Sequence, residues 1–401
     1  MITIHEALEI VRSHLPPRSV EEADLPRAAG RALAGDILAR EPSPRFTNSA
    51  MDGFAVRWED VKTVAASAPV QLKIVGESRA GAPFAGRLES GQAARISTGG
   101  MLCRGADTVI PLEETEVDGE ALRVLKAERA GNHLRREGEE FKAGELLLRQ
   151  GAVLNPPRLA LLASQGTVKA PVYRRPGVAV IVTGTELVPY HAPAESWQIR
   201  DSNGVMLRSA IEKSGGEVTF NARVGDRLDE TLEAVRRAAD VADIILFSGG
   251  VSVGPHDLVK SAAQQGGFET LFWRVKQRPG KPLFFARRSD SLFFGLPGNP
   301  VSAYMCYLFY VQPVLAHLQG KPFGHESFEG EAAAPIFNSA NRAQLYRVAL
   351  EGRPGRPPLV YPLARQGSHM LTSLTAADGF IHLEENVRLE SGTPVEVIPF
   401  T

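Results

Sequence analysis

The chain opens on a helical pattern. Ala7, Leu8, Val11 and Leu15 fall on one face, Thr3 and Glu6 have the spacing of a capping box, and Pro16 and Pro17 stop the run. A short amphipathic helix buries such a stripe only by docking on another element. From about residue 41 to 135 the period changes. Short alternating segments at 70–75, 92–96 and 121–125, punctuated by Gly and Pro, predict a β-rich module. Residues 144–166 have mixed character, with a short helix at 158–164 behind Pro156 and Pro157.

A different architecture begins after Arg174-Arg175-Pro176-Gly177. The continuous β-branched run 178–182 suits a strand buried on both faces. A helix at 204–213, a strand at 217–221, a helix at 228–239 and a second buried strand at 243–247 follow. Helices at 256–265 and 301–318 bracket strands at 271–275, 283–286 and 291–294. Such alternation predicts a parallel sheet wrapped by helices. Past Gly320 the helical period disappears, and 345–350, 359–363, 379–383 and 394–398 read as strands of a small terminal barrel or sheet. No internal repeat or low-complexity tract is present.

Composition narrows the classes. With 401 residues, 43% hydrophobic and 23% charged, the chain has the balance of a globular protein of roughly two to four domains. Its 45 basic and 46 acidic residues create no global field for nucleic acid or an anionic membrane, so any anion site is local. No apolar run approaches the roughly 20 residues of a membrane span, and the N-terminus lacks a signal-peptide pattern, so a cytoplasmic location is expected. Cys103 and Cys306 have no metal-ligand spacing and read as two buried thiols.

Ligands of open α/β sheets bind beyond the carboxyl ends of the strands. Three loops are expected there: Thr183-Gly184-Thr185-Glu186, Ser248-Gly249-Gly250-Val251-Ser252-Val253-Gly254, and Leu296-Pro297-Gly298-Asn299-Pro300-Val301-Ser302. Asn299 is a good N-cap and Pro300 suits the first helical position, so free amides would face the crevice. Glycines 249, 250 and 254 let the backbone approach a phosphate or a planar ring. Any one loop could be an ordinary turn; three aligned loops are harder to dismiss. Neither a dinucleotide fingerprint nor a P-loop follows these strands. Arg274, Lys276, Arg278 and Lys281 gather within eight residues, and the turn Arg278-Pro279-Gly280-Lys281-Pro282 would hold two cations near one oxyanion, a solvated charge run being the alternative. Asp226, Asp257, Glu186 and Asp201 form the acidic complement. Mg²⁺ at phosphate groups takes one or two such carboxylates, although Asp226 could instead be an N-cap.

These residues, together with Asp201-Ser202-Asn203-Gly204, resemble the molybdopterin-binding α/β domain. Asn48-Ser49-Ala50-Met51-Asp52-Gly53-Phe54-Ala55, Arg95-Ile96-Ser97-Thr98-Gly99, Gly105-Ala106-Asp107-Thr108-Val109-Ile110-Pro111 and Gln366-Gly367-Ser368-His369 with Ser373 resemble motifs of the MoeA and gephyrin E-domain family, the molybdopterin molybdenumtransferases. The likeness runs in order through almost the whole chain. Two departures stand out: Arg278 opens a turn that is usually Lys-Pro-Gly-Lys-Pro, and Glu140 ends a stretch that is usually Gly-Glu-Asp.

The resemblance implies a multidomain α/β fold. A connecting domain spans 1–43 and 136–173, a β-rich lid domain 44–135, the α/β molybdopterin-binding domain with a parallel-rich sheet 174–319, and a C-terminal β-barrel-like domain 320–401. It implies a homodimer in which Asp52 and Thr98 act in trans, with Glu140 a further catalytic carboxylate, and Glu186, Asp226 and Asp257 serving both catalysis and Mg²⁺. Thr183, Gly184, Ser248, Gly249, Gly250, Ser252, Gly254, Pro297, Gly298, Asn299 and Pro300 would bind adenylylated molybdopterin; Arg278, Lys281, Arg347 and Ser368 would bind molybdate. The expected activity is insertion of molybdate into adenylylated molybdopterin with hydrolysis of the pterin phosphate–AMP bond. The upstream adenylyltransferase is a candidate partner. A non-catalytic dimeric scaffold of the same fold and a molybdopterin adenylyltransferase are the alternatives.

Overall fold

The computed structural model describes residues 1–65, 67–251 and 258–400. It divides into two compact units, residues 1–34 with 169–401, and residues 35–168. The expected division into four domains is finer than this.

The first unit is built on a six-stranded sheet. In spatial order its strands are Glu217–Val224, Gly177–Thr183, Ile244–Ser248, Ser291–Leu296, Phe284–Arg288 and Glu269–Trp273. The first four are parallel; Phe284–Arg288 runs antiparallel to both its neighbours, so Glu269–Trp273 points the same way as the first four. The change of direction has a local cause: Ser289 and Asp290 alone separate strands 284–288 and 291–296, too short a link for a crossover but enough for a hairpin. All seven residues of Gly177–Thr183 are buried, because alternate side chains enter different layers. Val178, Val180 and Val182 join Leu207, Ile211, Val301 and Leu315 on one face, while Ala179 and Ile181 join Val235, Ala238, Val259 and Ala263 on the other.

The N-terminal helix, Ile4–Ser13, carries the expected capping box and inserts Ile4, Ala7 and Val11 into the first of these layers. The helix predicted at 301–318 runs from Pro300 to Leu318, with a π-helical stretch, Tyr307–Val311, in its middle. Pro313 explains the interruption. It has no N–H to donate, its ring crowds the preceding turn, and the wider π turn absorbs the misfit. Contrary to the expectation that no apolar run approaches a membrane span, this 19-residue helix is long and apolar enough to cross one, yet most of it is packed inside the protein. Both cysteines are buried, and burial pushes their thiols up from the ordinary range.

The C-terminal strands close on themselves. Ala343–Arg353, Arg356–Pro362, Phe328–Ala332, Pro394–Pro399 and Gly379–Leu383 pair in that order, and the last returns to the first. Strand Gln277–Arg278 adds to this barrel in parallel with Ala343 and Gln344.

The second unit contains a six-stranded sheet ordered Thr108–Pro111, Gly53–Val56, Gln92–Ile96, Val70–Ser78, Ala121–Val124 and Thr115–Asp118. Helix Pro156–Ser164 starts two residues earlier than predicted, with its prolines inside the first turn and Asn155 as the cap. Strand 53–56 approaches 108–111 so closely at Gly53 that an added Cβ would stand 2.0 Å from the Ile110 carbonyl oxygen. Gly53→Ala should therefore prise these strands apart and cost about 1–3 kcal/mol. Thermal unfolding reads this directly, and an unchanged midpoint would contradict the close approach.

Candidate functional site

The parallel strands Gly177–Thr183, Ile244–Ser248 and Ser291–Leu296 deliver their following loops to one edge, where a cleft of about 740 Å³ opens. That volume suits a small-molecule site. Thr183, Gly184 and Glu186 line it from the first loop, Ser248, Gly249 and Gly250 from the second, and Pro297, Gly298, Asn299 and Pro300 from the third. Ser252, Gly254 and Asp257 lie outside the described residues. Gly249 has φ +98°, and an added Cβ would meet the Thr183 carbonyl oxygen at 2.6 Å, so both the turn and the loop packing require glycine.

Asn203, which the sequence alone gives no role, joins two of these loops. Its Nδ2 donates to Ser248 Oγ at 2.9 Å and to the Gly298 carbonyl at 2.8 Å. Those two acceptors fix the amide orientation, which leaves Asn203 Oδ1 buried without a donor. Since Asn203 lines the cleft, a ligand N–H or O–H is the natural partner for that oxygen. Ser202 and Pro282, from motifs given above, also line the cleft, as does Arg200, which carries no sequence signal.

Glu186, Asp201 and Asp226 also line the cleft. Asp226 is not an N-cap, because the following helix, Leu228–Ala239, is capped at Arg227. Its two oxygens instead accept from Thr183 Oγ1 at 3.1 Å and from the Thr185 N–H at 3.3 Å. Asp201 Oδ1 accepts from the Gly204 N–H at 2.7 Å. A hard divalent cation such as Mg²⁺ fits this set, since oxygen donors from Glu186 and Asp226 face the cleft.

The third loop differs in detail from expectation. Asn299 occupies the N-cap position without a side-chain capping bond; its Nδ2 donates to Ser368 Oγ at 3.0 Å instead. The Val301 N–H donates to the Ser368 carbonyl, so the segment around Ser368 has taken up an amide that the sequence suggested was free.

Beyond Ser368 lies a buried guanidinium. Arg347 is fully buried. Its Nη2 donates to the carbonyls of Arg365 at 3.1 Å and Gly367 at 3.4 Å, while Nε and Nη1 have no partner. Gln366 pins the segment by accepting from the Arg347 N–H and donating to its carbonyl. Burial, and then the nearby Arg278 guanidinium, push Arg347 down to about 10. It stays charged at neutral pH. The cost of holding that charge is relieved only as pH rises above about 10.

Arg278 and Lys281 are exposed on the turn that leads to Pro282 at the cleft. A buried group fixes the turn from beneath: Gln277 accepts from Tyr310 Oη and donates to the Gly280 carbonyl at 3.3 Å. An added Cβ at Gly280 (φ +92°) would stand 2.4 Å from Cys306 Sγ.

Asp52, Thr98 and Glu140 belong to the second unit. Gly53 pairs with Ile96, so Asp52 and Thr98 emerge from the same end of adjacent strands. The Thr98 N–H and Oγ1 donate to Asp52 Oδ1 at 2.6 and 2.9 Å, holding this carboxyl below its usual range, the backbone bond being the larger cause. Glu140 accepts from Ser43 Oγ at 2.6 Å.

Family models match almost the whole chain: the MoeA N-terminal region (domain I and II) over residues 2–166, a probable molybdopterin binding domain over 179–317, and the MoeA C-terminal region (domain IV) over 329–400. The chain is 35% identical to the molybdopterin molybdenumtransferase of Haemophilus influenzae, covering 100% of this chain and 99% of that protein. It is 32% identical to the molybdopterin molybdenumtransferase of Bacillus subtilis, covering 99% and 94%. A solved molybdopterin biosynthesis MoeA protein from Pyrococcus horikoshii superposes with a TM-score of 0.87 at 32% identity, covering 100% of this chain and 99% of that one.

Two outcomes follow from the geometry. Asn203→Ala unties two loops and should cost about 1–3 kcal/mol of stability, read by denaturant unfolding; a smaller loss than the exposed control Ser202→Ala would show that the tie is unimportant. Thr98→Val removes one of two donors to Asp52. The carboxylate form loses support, so its titration midpoint should move to higher pH when followed by carboxyl carbon shifts, and a static midpoint rules out the hydroxyl's contribution.

Proposed function

The chain belongs to the MoeA family, and we propose that it inserts molybdate into adenylylated molybdopterin, hydrolysing the pterin phosphate–AMP bond and releasing AMP and molybdenum cofactor. The observation that carries this reading is the junction of a carboxylate-walled cleft with a buried, half-unsatisfied guanidinium through Asn299 and Ser368. An oxyanion at Arg347 would accept from a free N–H of Nε or Nη1 and replace part of what burial removed.

In this reading residues 174–319 hold the pterin nucleotide, 320–401 supply part of the molybdate pocket, 44–135 form the lid, and 1–43 with 136–173 connect them. Gly249, Gly250 and Gly298 give the ligand's phosphates and flat ring access to backbone, and Asn203 Oδ1 accepts from it. Molybdate binds between Arg278, Lys281, Arg347 and Ser368, where cations and a hydroxyl replace its hydration, with the dithiolene sulfurs alongside. Glu186 and Asp226, with Asp257, would hold Mg²⁺, which when bound supplies positive charge to the phosphoanhydride oxygens as they separate. Asp226, oriented by Thr183 and Thr185, positions the attacking water. Asp52, kept ionised by Thr98, acts from the lid of a second copy in a homodimer working in the cytoplasm, and Glu140 of the connecting segment is a further catalytic carboxylate.

The test is turnover of adenylylated molybdopterin with molybdate, followed by AMP release. A scaffold releases none, and an adenylyltransferase consumes ATP instead. Lys281→Ala should lower molybdate-dependent turnover and leave binding of the adenylylated pterin largely intact; equal loss of both refutes the division of roles. Arg347→Met should keep or raise the melting temperature, because an uncompensated buried charge is removed, while the KM for molybdate rises tenfold or more. A large fall in stability with an unchanged KM would make Arg347 structural.

A further inference from the structure

A second cluster of ligating side chains lies in the first unit, and none of its members lines the cleft. His5 sits in the first turn of helix Ile4–Ser13, and His382 and Glu384 lie at the end of barrel strand Gly379–Leu383. His5 Nε2 is 2.9 Å from Glu384 Oε1, and His382 Nε2 is 3.4 Å from the same oxygen. One ligand atom from each residue lies within 4.8 Å of the other two.

An ordinary imidazole–carboxylate pair accounts for only part of this. His5 and Glu384 satisfy each other, but His382 Nε2 remains buried with no hydrogen-bond partner although it faces the same carboxylate. A cation shared by all three would use that nitrogen lone pair. Ligand atoms bound about 2.05 Å from a tetrahedral zinc stand about 3.3 Å apart, so the His382 separation fits as it is and the His5 separation needs to open by roughly 0.4 Å. His5 is free to make that adjustment because its side chain is 74% exposed.

The other two ligands are held by their surroundings. Phe309 packs edge-on against the His382 ring, with centroids 6.0 Å apart. Asn338, fully buried, donates from Nδ2 to the Glu384 and Leu383 carbonyls and so fixes the strand end.

We propose that His5, His382 and Glu384 form a site for a borderline divalent transition metal of the zinc class, bound by two imidazole nitrogens and one carboxylate oxygen with water completing the shell. Mixed nitrogen and oxygen donors select such an ion over Mg²⁺. The site works as a clasp. Three residues before His5, Ile2 bridges Val275, and its carbonyl accepts from the Lys276 N–H at 2.7 Å. Lys276 Nζ also pairs with Glu385 at 2.6 Å. A metal at the cluster therefore joins the N-terminal helix to the barrel beside the segment that leads into Arg278 and Lys281.

The full chain, stripped with a chelator and held in excess Mg²⁺ to fill oxygen sites, is titrated with ZnCl₂ by calorimetry. The expected result is one event that weakens at least tenfold in both His5→Ala and His382→Ala and is unchanged in His14→Ala. Zinc should also slow hydrogen exchange at residues 2–8 in the wild type and not in His5→Ala. The exposure of His5 makes loss of folding an inadequate explanation for that variant. Zinc affinity and exchange that are the same in wild type and His5→Ala, or no zinc binding to the wild type, overturn the proposal.

Discussion

Val182, Ser248 and Leu296 stand opposite one another on three adjacent parallel strands. Because these strands end level, the turns that follow them must share one edge, and everything the cleft does depends on that alignment. The register is fixed from both faces. Alternate residues of Gly177–Thr183 and Ile244–Ser248 enter separate apolar layers, so a slip of one residue would send every side chain into the wrong layer. Gly249 and Gly298 can then be bare of side chains where the strands beneath them hold their positions. Asn203 strengthens this from above by bonding to two of the turns at once.

Charge is divided within the first unit in a way that the near-zero balance of the whole chain conceals. Carboxylates of Glu186, Asp201 and Asp226 face the cleft, while Arg278, Lys281 and Arg347 collect around the turn and barrel strand beyond Ser368. Arg347 is the informative member. A buried guanidinium with two unpaired nitrogens costs stability, and folding alone offers no reason to keep it there. An oxyanion would meet an unpaired N–H of this group, which is why this residue discriminates better than the exposed cations between an anion site and a solvated basic patch.

Much of this architecture was legible in the chain because it rests on local pattern. The capping box at Thr3 and Glu6, the unbroken run at 178–182, and the loops beginning at Thr183, Ser248 and Leu296 all follow from residues within one element. What local pattern leaves out is the partner across the fold. Asp226 has the composition of an N-cap, but Thr183 and Thr185, some forty residues away, claim both its oxygens. Asn299 has the same composition and does reach the cap position, yet its side chain turns to Ser368. Asn203 reads as one polar residue in a helix start, and only the meeting of two distant loops gives it a role. The resemblance supplied Arg347 as a position; its burial and its two orphaned donors required coordinates.

The helix from Pro300 to Leu318 connects the two halves of the site. Its first residues border the cleft and meet Ser368, while Tyr310, within the π-helical stretch, reaches Gln277 and through it the Gly280 carbonyl. A regular α-helix would space Asn299 and Tyr310 differently. Pro313 forces the wider turn, so the residue that disrupts the helix also sets where Tyr310 meets the basic turn. Cys306 fills the remaining space below Gly280, close enough that no larger residue fits there. The placement of Lys281 relative to the cleft is thus a property of one buried helix and its single irregularity, even though Lys281 itself is exposed.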